Sequence, residues 1–299
     1  MTRTTARMRT IIIPAAGKGT RMLPATQVTA KELLPVYDRP VIQFAIDEAI
    51  DAGVDRIIVV VNDSKPAIRA FLGDTAIAST GRSTAEIIYV TQPHPMGLGH
   101  AVLCCKGQTL PGPFGVILPD DIITGRGCMS EMAENHHDGQ MIAAMGVPVE
   151  ETGKYGIFSL RGPATGNSIE VKGIVEKPPL GQAPSSLAAV GRYILQPMVF
   201  DILGQTPKGN GGEVQLTDAI AIATRSLPLT AFQFSGTRFD CGSLDGLLAA
   251  ANARQASLKA VRMNAPLSIV RPPARPDSRR QIDGPDPEGL IHAPARRTL

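Results

Sequence analysis

The chain has no tryptophan, only four cysteines and no long hydrophobic run, and each shortage narrows what it does. A bilayer span needs roughly 20 predominantly apolar residues, and no stretch approaches that length. The start, MTRTTARMRTIIIPAAG, is basic and then apolar. Its apolar part, Ile11 to Ala16, is too short for the core of a secretory signal, which runs to about 7–15 residues. A frayed start leading into a buried strand is expected instead, in a cytoplasmic protein with no membrane partner. Cys104, Cys105, Cys128 and Cys241 fall in no zinc-binding spacing, and the neighbours Cys104 and Cys105 read as reduced core thiols. His136 and His137, adjacent at a predicted helix end, cannot chelate one ion from a single helix face. Charge is nearly balanced as well. The net is +3, and residues 271–299 carry six arginines against four acids, so the rest of the chain is close to neutral. Nucleic acid finds no electrostatic footprint there.

What the 299 residues do contain is an alternation of short apolar runs and amphipathic stretches. TIIIPA (10–15), RIIVVV (56–61), EIIYV (86–90), FGVILP (114–119) and MIAAMGV (141–147) predict strands. VIQFAIDEAIDAG (41–53), SKPAIRAFLG (64–73), LGHAVLCCKG (98–107) and CMSEMAENHHDG (128–139) predict helices, the first and last closing on a C-cap glycine. Apolar strands alternating with helices predict an α/β fold: a Rossmann-like mixed, mostly parallel central sheet flanked by helices. Beyond residue 150 the rhythm loosens, and added antiparallel or mixed strands are expected before a last pair of helices. One domain is expected over residues 9–265, followed by a disordered Pro/Arg-rich tail over 266–299.

The stretch PAAGKGTRMLPATQVTAKELLP (14–35) follows the first strand. It is not a Walker loop, because Lys18 is followed by Gly19 and the position five before Gly17 is Ile12. It is not a dinucleotide fingerprint either, because the third glycine position is Met22. A strand followed by G-K-G-T-R remains, at the sheet edge where open parallel sheets bind ligands. Glycines there admit backbone N–H groups to an anion, and Lys18, Arg21 and Lys31 add charge. A tight turn with solvated basic residues is the other reading of the same residues.

GKGTRMLPAT…KELLPVYDRPVIQF resembles the signature of the bacterial sugar-1-phosphate nucleotidyltransferases. The likeness continues in order through GLGHAV (97–102), ILPDD (117–121), YGIF (155–158), VEKP (175–178), AVGRYIL (189–195), GGEVQLTDAI (211–220) and FDCGSLDGLLAA (239–250), so it covers nearly all of residues 10–260. GLGHAV, EVQLTDA and DCG resemble the uridylyltransferase branch, while PVYDRP resembles the thymidylyltransferases. The resemblance implies the nucleotide-diphospho-sugar transferase fold. It also implies a reaction in which UTP and glucose 1-phosphate give UDP-glucose and pyrophosphate with Mg2+. The alternatives are the sister reaction with dTTP and a catalytically silent paralogue that binds nucleotide sugar. A homo-oligomer is implied too.

The same resemblance assigns site residues. Ala16, Gly17, Gly19 and Thr20 would cradle the nucleotide, and Arg21 would hold its β- and γ-phosphates. Lys31 would neutralise charge at the α-phosphate, and Gln92 and Gly97 would receive the pyrimidine. Asp120 and Asp240 would hold Mg2+, with Asp121 behind them or in the turn. Gly156, Glu176, Lys177, Gly191 and Glu213 would serve the sugar phosphate. Residue by residue, plainer readings stand beside these. Lys31 is also a surface lysine at a helix start, Asp120-Asp121 a turn pair, and Asp240 a loop acid. Gln92 is also a solvated strand end, VEKP a surface strand before a proline turn, and Glu213 a dipole-facing first-turn acid. The chain departs from the family pattern at Gln27, where lysine is frequent, at Ala30, and in a short segment from Phe71 to Glu86.

Overall fold

The β-branched runs form strands because such side chains pack well on a pleated surface. A computed structural model describes residues 6–73, 77–79, 84–209 and 212–264. The chain divides into one unit over Met1–Lys259 and another over Ala260–Leu299, and the tail expected to be disordered lies outside the described residues. Among the described residues, no helix is long and apolar enough to cross a membrane.

The strands of the first half are β1 (Thr10–Pro14), β2 (Pro35–Val36), β3 (Arg39–Pro40), β4 (Arg56–Val61), β5 (Ile77–Ser79), β6 (Thr84–Thr91) and β7 (Phe114–Ile117). Then come β8 (Asp121–Thr124), β9 (Gln140–Gly146), β10 (Gly156–Leu160), β11 (Ser168–Glu176), β12 (Leu187–Leu195), β13 (Leu229–Gln233) and β14 (Thr237–Asp240). The helices are α1 (Val41–Asp51), α2 (Pro66–Leu72), α3 (Leu98–Leu103), α4 (Cys128–Asn135), α5 (Met198–Gln205), α6 (Leu216–Ala223) and α7 (Leu244–Asn264).

Among the described residues, ten strands make one sheet in the order β10-β11-β13-β9-β12-β7-β1-β4-β6-β5. Side chains alternate across it. Ile12, Ile58 and Val60 face a core with Val102 of α3, Phe200 of α5 and Ile220 of α6. Ile11, Ile13, Ile57 and Val59 face the opposite core with Ile46 of α1, Ile68 of α2 and Met132 of α4. Helices therefore cover both faces, as expected.

Three expectations need correction. The sheet is mixed, but a mostly parallel arrangement holds only for β7-β1-β4-β6 and for the β13–β9 pair. β12, β10, β11 and β5 pair antiparallel with their neighbours, because an apolar run does not fix which way a strand points. The helix predicted over 128–139 stops at Asn135. His136 is extended there and turns its buried ring so that Nε2 lies 3.1 Å from the Gly139 carbonyl oxygen. Gly139 is consequently no helix cap. It has φ 69°, and a Cβ on it would fall 2.3 Å from the Pro228 carbonyl oxygen. All four cysteines are free thiols.

Among the described residues, the largest fully buried side chain is a charged one, Arg192 of β12. Its guanidinium donates to both carboxylate oxygens of Glu48 in α1, at 2.8 to 3.1 Å, so burial is compensated by a bidentate partner. It also donates to the carbonyls of Leu118 (3.2 Å), Asp121 (2.6 Å) and Gly191 (3.1 Å). Glu48 additionally accepts from the Met129 amide at the start of α4 (3.0 Å). Glu48→Ala leaves a buried guanidinium unpaired and is expected to lower stability by about 3–5 kcal/mol in urea unfolding. Glu48→Leu combined with Arg192→Met is expected to lose much less, because no charge is stranded.

Candidate functional site

A cavity of about 830 Å³ opens at the C-terminal ends of β1, β6 and β7. Its first wall is the glycine loop. The Ala15 amide extends β1 by donating to Val60 (2.8 Å), after which the chain turns away from the sheet. Gly19 sits in the left-handed region, at φ 68°, ψ 23°, and opens a short 3-10 turn over Thr20–Met22. Thr26 Oγ1 donates to the Gly19 carbonyl (2.7 Å), and Met22 is fully buried beneath the loop. Lys31 folds back so that its Cε would lie 3.9 Å from a Cβ on Gly17. Ala16, Gly17, Lys18, Thr20, Arg21 and Lys31 all line the cavity. Gly19 shapes the turn without lining it, and exposed Gln27 lies outside it too.

The second wall is made where β7 ends and the chain restarts as β8. β8 pairs antiparallel with β14, which sets Asp240 opposite Asp121, and the Cys241 amide donates to the Asp120 carbonyl (2.7 Å). Lys31 Nζ lies 2.6 Å from Asp120 Oδ2, and an Arg21 guanidinium nitrogen lies 3.9 Å from the same oxygen. Burial disfavours the Asp120 charge, but Lys31, then a backbone hydrogen bond and then Arg21 outweigh it and hold the carboxyl below its ordinary range. Burial likewise opposes the Lys31 charge, yet Asp120 and Glu32 keep that ammonium above its ordinary value. Asp121 turns the other way. It accepts from Arg238 Nε (2.7 Å) and from the Gly191 amide (3.0 Å), and burial raises its pKa against the pull of Arg238.

The carboxylates frame a small recess. A Cβ on Gly242 would lie 2.8 Å from the Arg21 guanidinium, 2.9 Å from Asp240 Oδ1 and 3.3 Å from Asp120 Oδ2. Two aspartates suit a hard cation that completes its shell with ligand phosphates and water, which is how Mg2+ is usually held. A site built from protein donors alone does not fit, since no group of three His, Cys, Asp or Glu side chains that could hold a metal occurs among the described residues.

The remaining wall carries Gln92, Gly97, Gly156, Glu176, Lys177, Gly191 and Glu213. Gln92 Nε2 donates to the Gly97 carbonyl (3.1 Å). Gly97 has φ 92°, and a Cβ on it would strike Glu213 Cβ at 2.7 Å, so Glu213 stands against the Gly97 turn. Gly156 pairs with Glu176 across β10 and β11. Lys177 Nζ lies 3.5 Å from Glu176 Oε1, and Lys177 itself has φ 43°. That left-handed conformation is costly for a side chain with a Cβ and is concentrated at functional sites. The Gly191 N–H is already given to Asp121, and a Cβ there would fall 2.5 Å from Asp121 Oδ2.

Residues 10–257 match the nucleotidyl transferase family. The chain belongs to that family. It is 40% identical over 263 residues to the UTP–glucose-1-phosphate uridylyltransferase of Bacillus subtilis, a match covering 81% of this chain and 89% of that one. Its fold is similar to that of UDP-glucose pyrophosphorylase complexed with UDP-glucose, with TM-score 0.76 and 34% identity over 84% of this chain and 99% of the other. The UTP-bound UGPase of Acinetobacter baumannii is comparable, with TM-score 0.74 and 34% identity over 86% and 99% of the two chains.

The cavity of this nucleotidyl transferase also holds side chains that sequence reasoning passed over. Arg238 lines it between Asp121 and Tyr155. Its guanidinium lies 3.8 Å from Asp240 Oδ2 and 5.4 Å from the centre of the Tyr155 ring. A two-residue spacing from Asp240 on one strand was the available signal, because alternate strand residues share a face. Lys154, Tyr193, Gln215 and Thr217 line the cavity as well.

The Asp120–Lys31 pair has a definite pH signature. Asp120 has a lowered pKa, so its contribution is complete above the unfolded value of about 3.9 and is lost as pH falls through the folded one. Lys31 has a raised pKa, so its contribution is complete below about 10.4 and is lost as pH rises through the folded value. Lys31→Met removes the main opposition to burial and is expected to raise the Asp120 titration, read from its carboxyl carbon by NMR. An unmoved midpoint would mean that Arg21 and the backbone suffice.

Proposed function

We propose that this chain transfers the uridylyl group of UTP to glucose 1-phosphate, giving UDP-glucose and pyrophosphate. The carrying observation is the Asp120 carboxylate held by Lys31 and Arg21 at the mouth of the glycine loop, with Asp240 beside it. The matching relatives carry that activity in their names, and the chain covers most of their length.

In the proposed reaction a phosphate oxygen of glucose 1-phosphate attacks the α-phosphorus of UTP. The bond from that phosphorus to the bridging oxygen breaks, and pyrophosphate leaves on the opposite side. The attacking phosphate is already anionic near neutral pH, so the protein's work is alignment and charge neutralisation. Gly17, with Ala16 and Thr20, lets backbone N–H groups reach the phosphates, while Gly19 sets the turn. Arg21, largely exposed, grips the β- and γ-phosphates and follows the leaving group. Lys31 faces the α-phosphate as a compact charge. Gln92 and Gly97 receive the uracil. Glu176 accepts from sugar hydroxyls and Lys177 grips the sugar's phosphate, with Gly156, Gly191 and Glu213 shaping that end. Asp120 and Asp240 would hold Mg2+, which supplies additional positive charge to the phosphates when bound. Asp121 takes no part as a base, because its charge is committed to Arg238.

Pyrophosphate release, measured with UTP, dTTP, ATP, CTP and GTP against glucose 1-phosphate, is expected to be strongest with UTP. A preference for dTTP would transfer the chain to the thymidylyl reaction, and no release with any pair would overturn catalysis. Asp120→Ala is expected to cut kcat by about a thousandfold, the loss of several kcal/mol of charge stabilisation, with unchanged circular dichroism. Lys177→Ala is expected to raise KM for glucose 1-phosphate about tenfold while that for UTP stays put. The opposite split would assign Lys177 to the nucleotide.

A further inference from the structure

Gln92 follows the end of β6, and its backbone is tied to β4: the Gln92 amide donates to Val61 (2.8 Å), and Asn62 Nδ2 donates to the Gln92 carbonyl (3.4 Å). Only 4% of the residue is exposed, and it lines the cavity beside Pro95, Leu98 and Ala101. Its side chain carries two donors on nitrogen and an acceptor oxygen, and which end faces the ligand decides what it recognises.

The surroundings fix that choice. Nε2 lies 3.1 Å from the Gly97 carbonyl oxygen, which can only accept, so the nitrogen end must face the Gly97 turn. The second N–H of the same nitrogen points to His100 Nδ1 at 3.0 Å. Nδ1 must then be an acceptor, with the ring proton on Nε2 and the ring neutral. Burial, helped by the nearby charges of His94 and Lys208, lowers the His100 pKa and favours that neutral ring. Both donors are spent on the protein, and Oε1 is what the amide offers to the cavity.

We propose that His100 is a specificity-determining positioning residue. By accepting from Gln92 it holds the amide oxygen toward the ligand. The site then takes a nucleobase with a ring N–H at the facing edge, as in uracil, and rejects one with a bare ring nitrogen there, as in cytosine. A base of the second kind would place its lone pair against Oε1. The inference rests on the UTP reading of the site and adds a residue that touches no substrate.

The test compares UTP with CTP in wild type, His100→Leu, His100→Gln, Gln92→Ala and the double variant His100→Leu/Gln92→Ala. Each is assayed by pyrophosphate release with glucose 1-phosphate and by calorimetric binding of each nucleotide alone. His100→Leu is expected to lower the UTP:CTP ratio of kcat/KM about tenfold, the worth of one neutral hydrogen bond, through KM for UTP with kcat barely moved. His100→Gln restores an acceptor and is expected to keep most of the ratio, which a merely packing role would not require. In the Gln92→Ala background, His100→Leu is expected to change nothing further, because the two residues act as one unit. An unchanged ratio in His100→Leu, or an equal fall in the Gln92→Ala background, would overturn the proposal. If wild type releases no pyrophosphate from UTP, the transferase reading fails, and the calorimetric UTP:CTP ratio across the same variants still decides the lock. Equal binding of the two nucleotides by wild type would overturn it.

Discussion

A carboxylate that stays charged where much of its water has been removed is the constraint on which this molecule turns. Burial alone would push Asp120 toward its neutral form. Lys31, which opposes this, lies 89 positions earlier in the chain and reaches Asp120 only if two separate loops are held in register. The frame that does so is itself ionic. Arg192 donates to the carbonyls of Leu118 and Asp121, one on each side of Asp120, and Glu48 holds Arg192 from the opposite layer. Side chains of α1 and β12 thus fix the backbone that presents Asp120. The buried pair is costly to assemble, and its use here is to make one backbone path unique where a loop would otherwise wander.

The parts of this arrangement written in local sequence were legible. Four β-branched runs became strands, β1, β4 and β7 buried and β6 largely half-buried, and the glycines after Ile13 marked a ligand loop whose failure to match two better-known phosphate patterns was itself informative. Strand direction was not legible, because an apolar run such as LAAVGRYIL packs equally well either way round, and β12 runs antiparallel to both its neighbours β7 and β9. The β8–β14 ladder was hidden for a different reason. DIIT and TRFD are four-residue strands with over a hundred residues between them, and nothing local announces their pairing. Arg238 escaped with them, since its place beside Asp121 exists only once that register is set. The helix over 128–139 was drawn too long because its apolar period runs on to His136. The structure spends that residue on burying a ring rather than on another turn.

Resemblance located residues that physics alone left undecided, and the structure separates them by their surroundings. Gly97, Gly156 and Gly191 all line the cavity, yet each is glycine for a different neighbour: Glu213, Glu176 with Ile174, and Asp121 with Leu118. Such positions are fixed by what stands behind them as much as by what lies in front. The same holds for Asp121, whose charge is consumed by Arg238 and the Gly191 amide, so that two adjacent aspartates share a strand end but not a task.

The two cations at Asp120 are also unequal. Lys31 is mostly buried and in short contact, whereas Arg21 is 71% exposed and stands off at 3.9 Å. A long contact to an exposed guanidinium is well screened and holds it only weakly. A phosphate arriving at the glycine loop therefore competes with little for Arg21 but with a short, shielded pair for Lys31. In the proposed reaction Arg21 can therefore swing to the outer phosphates first, while Lys31 meets the α-phosphate from its place beside Asp120, so the carboxylate is not stranded in the cavity when the ligand arrives.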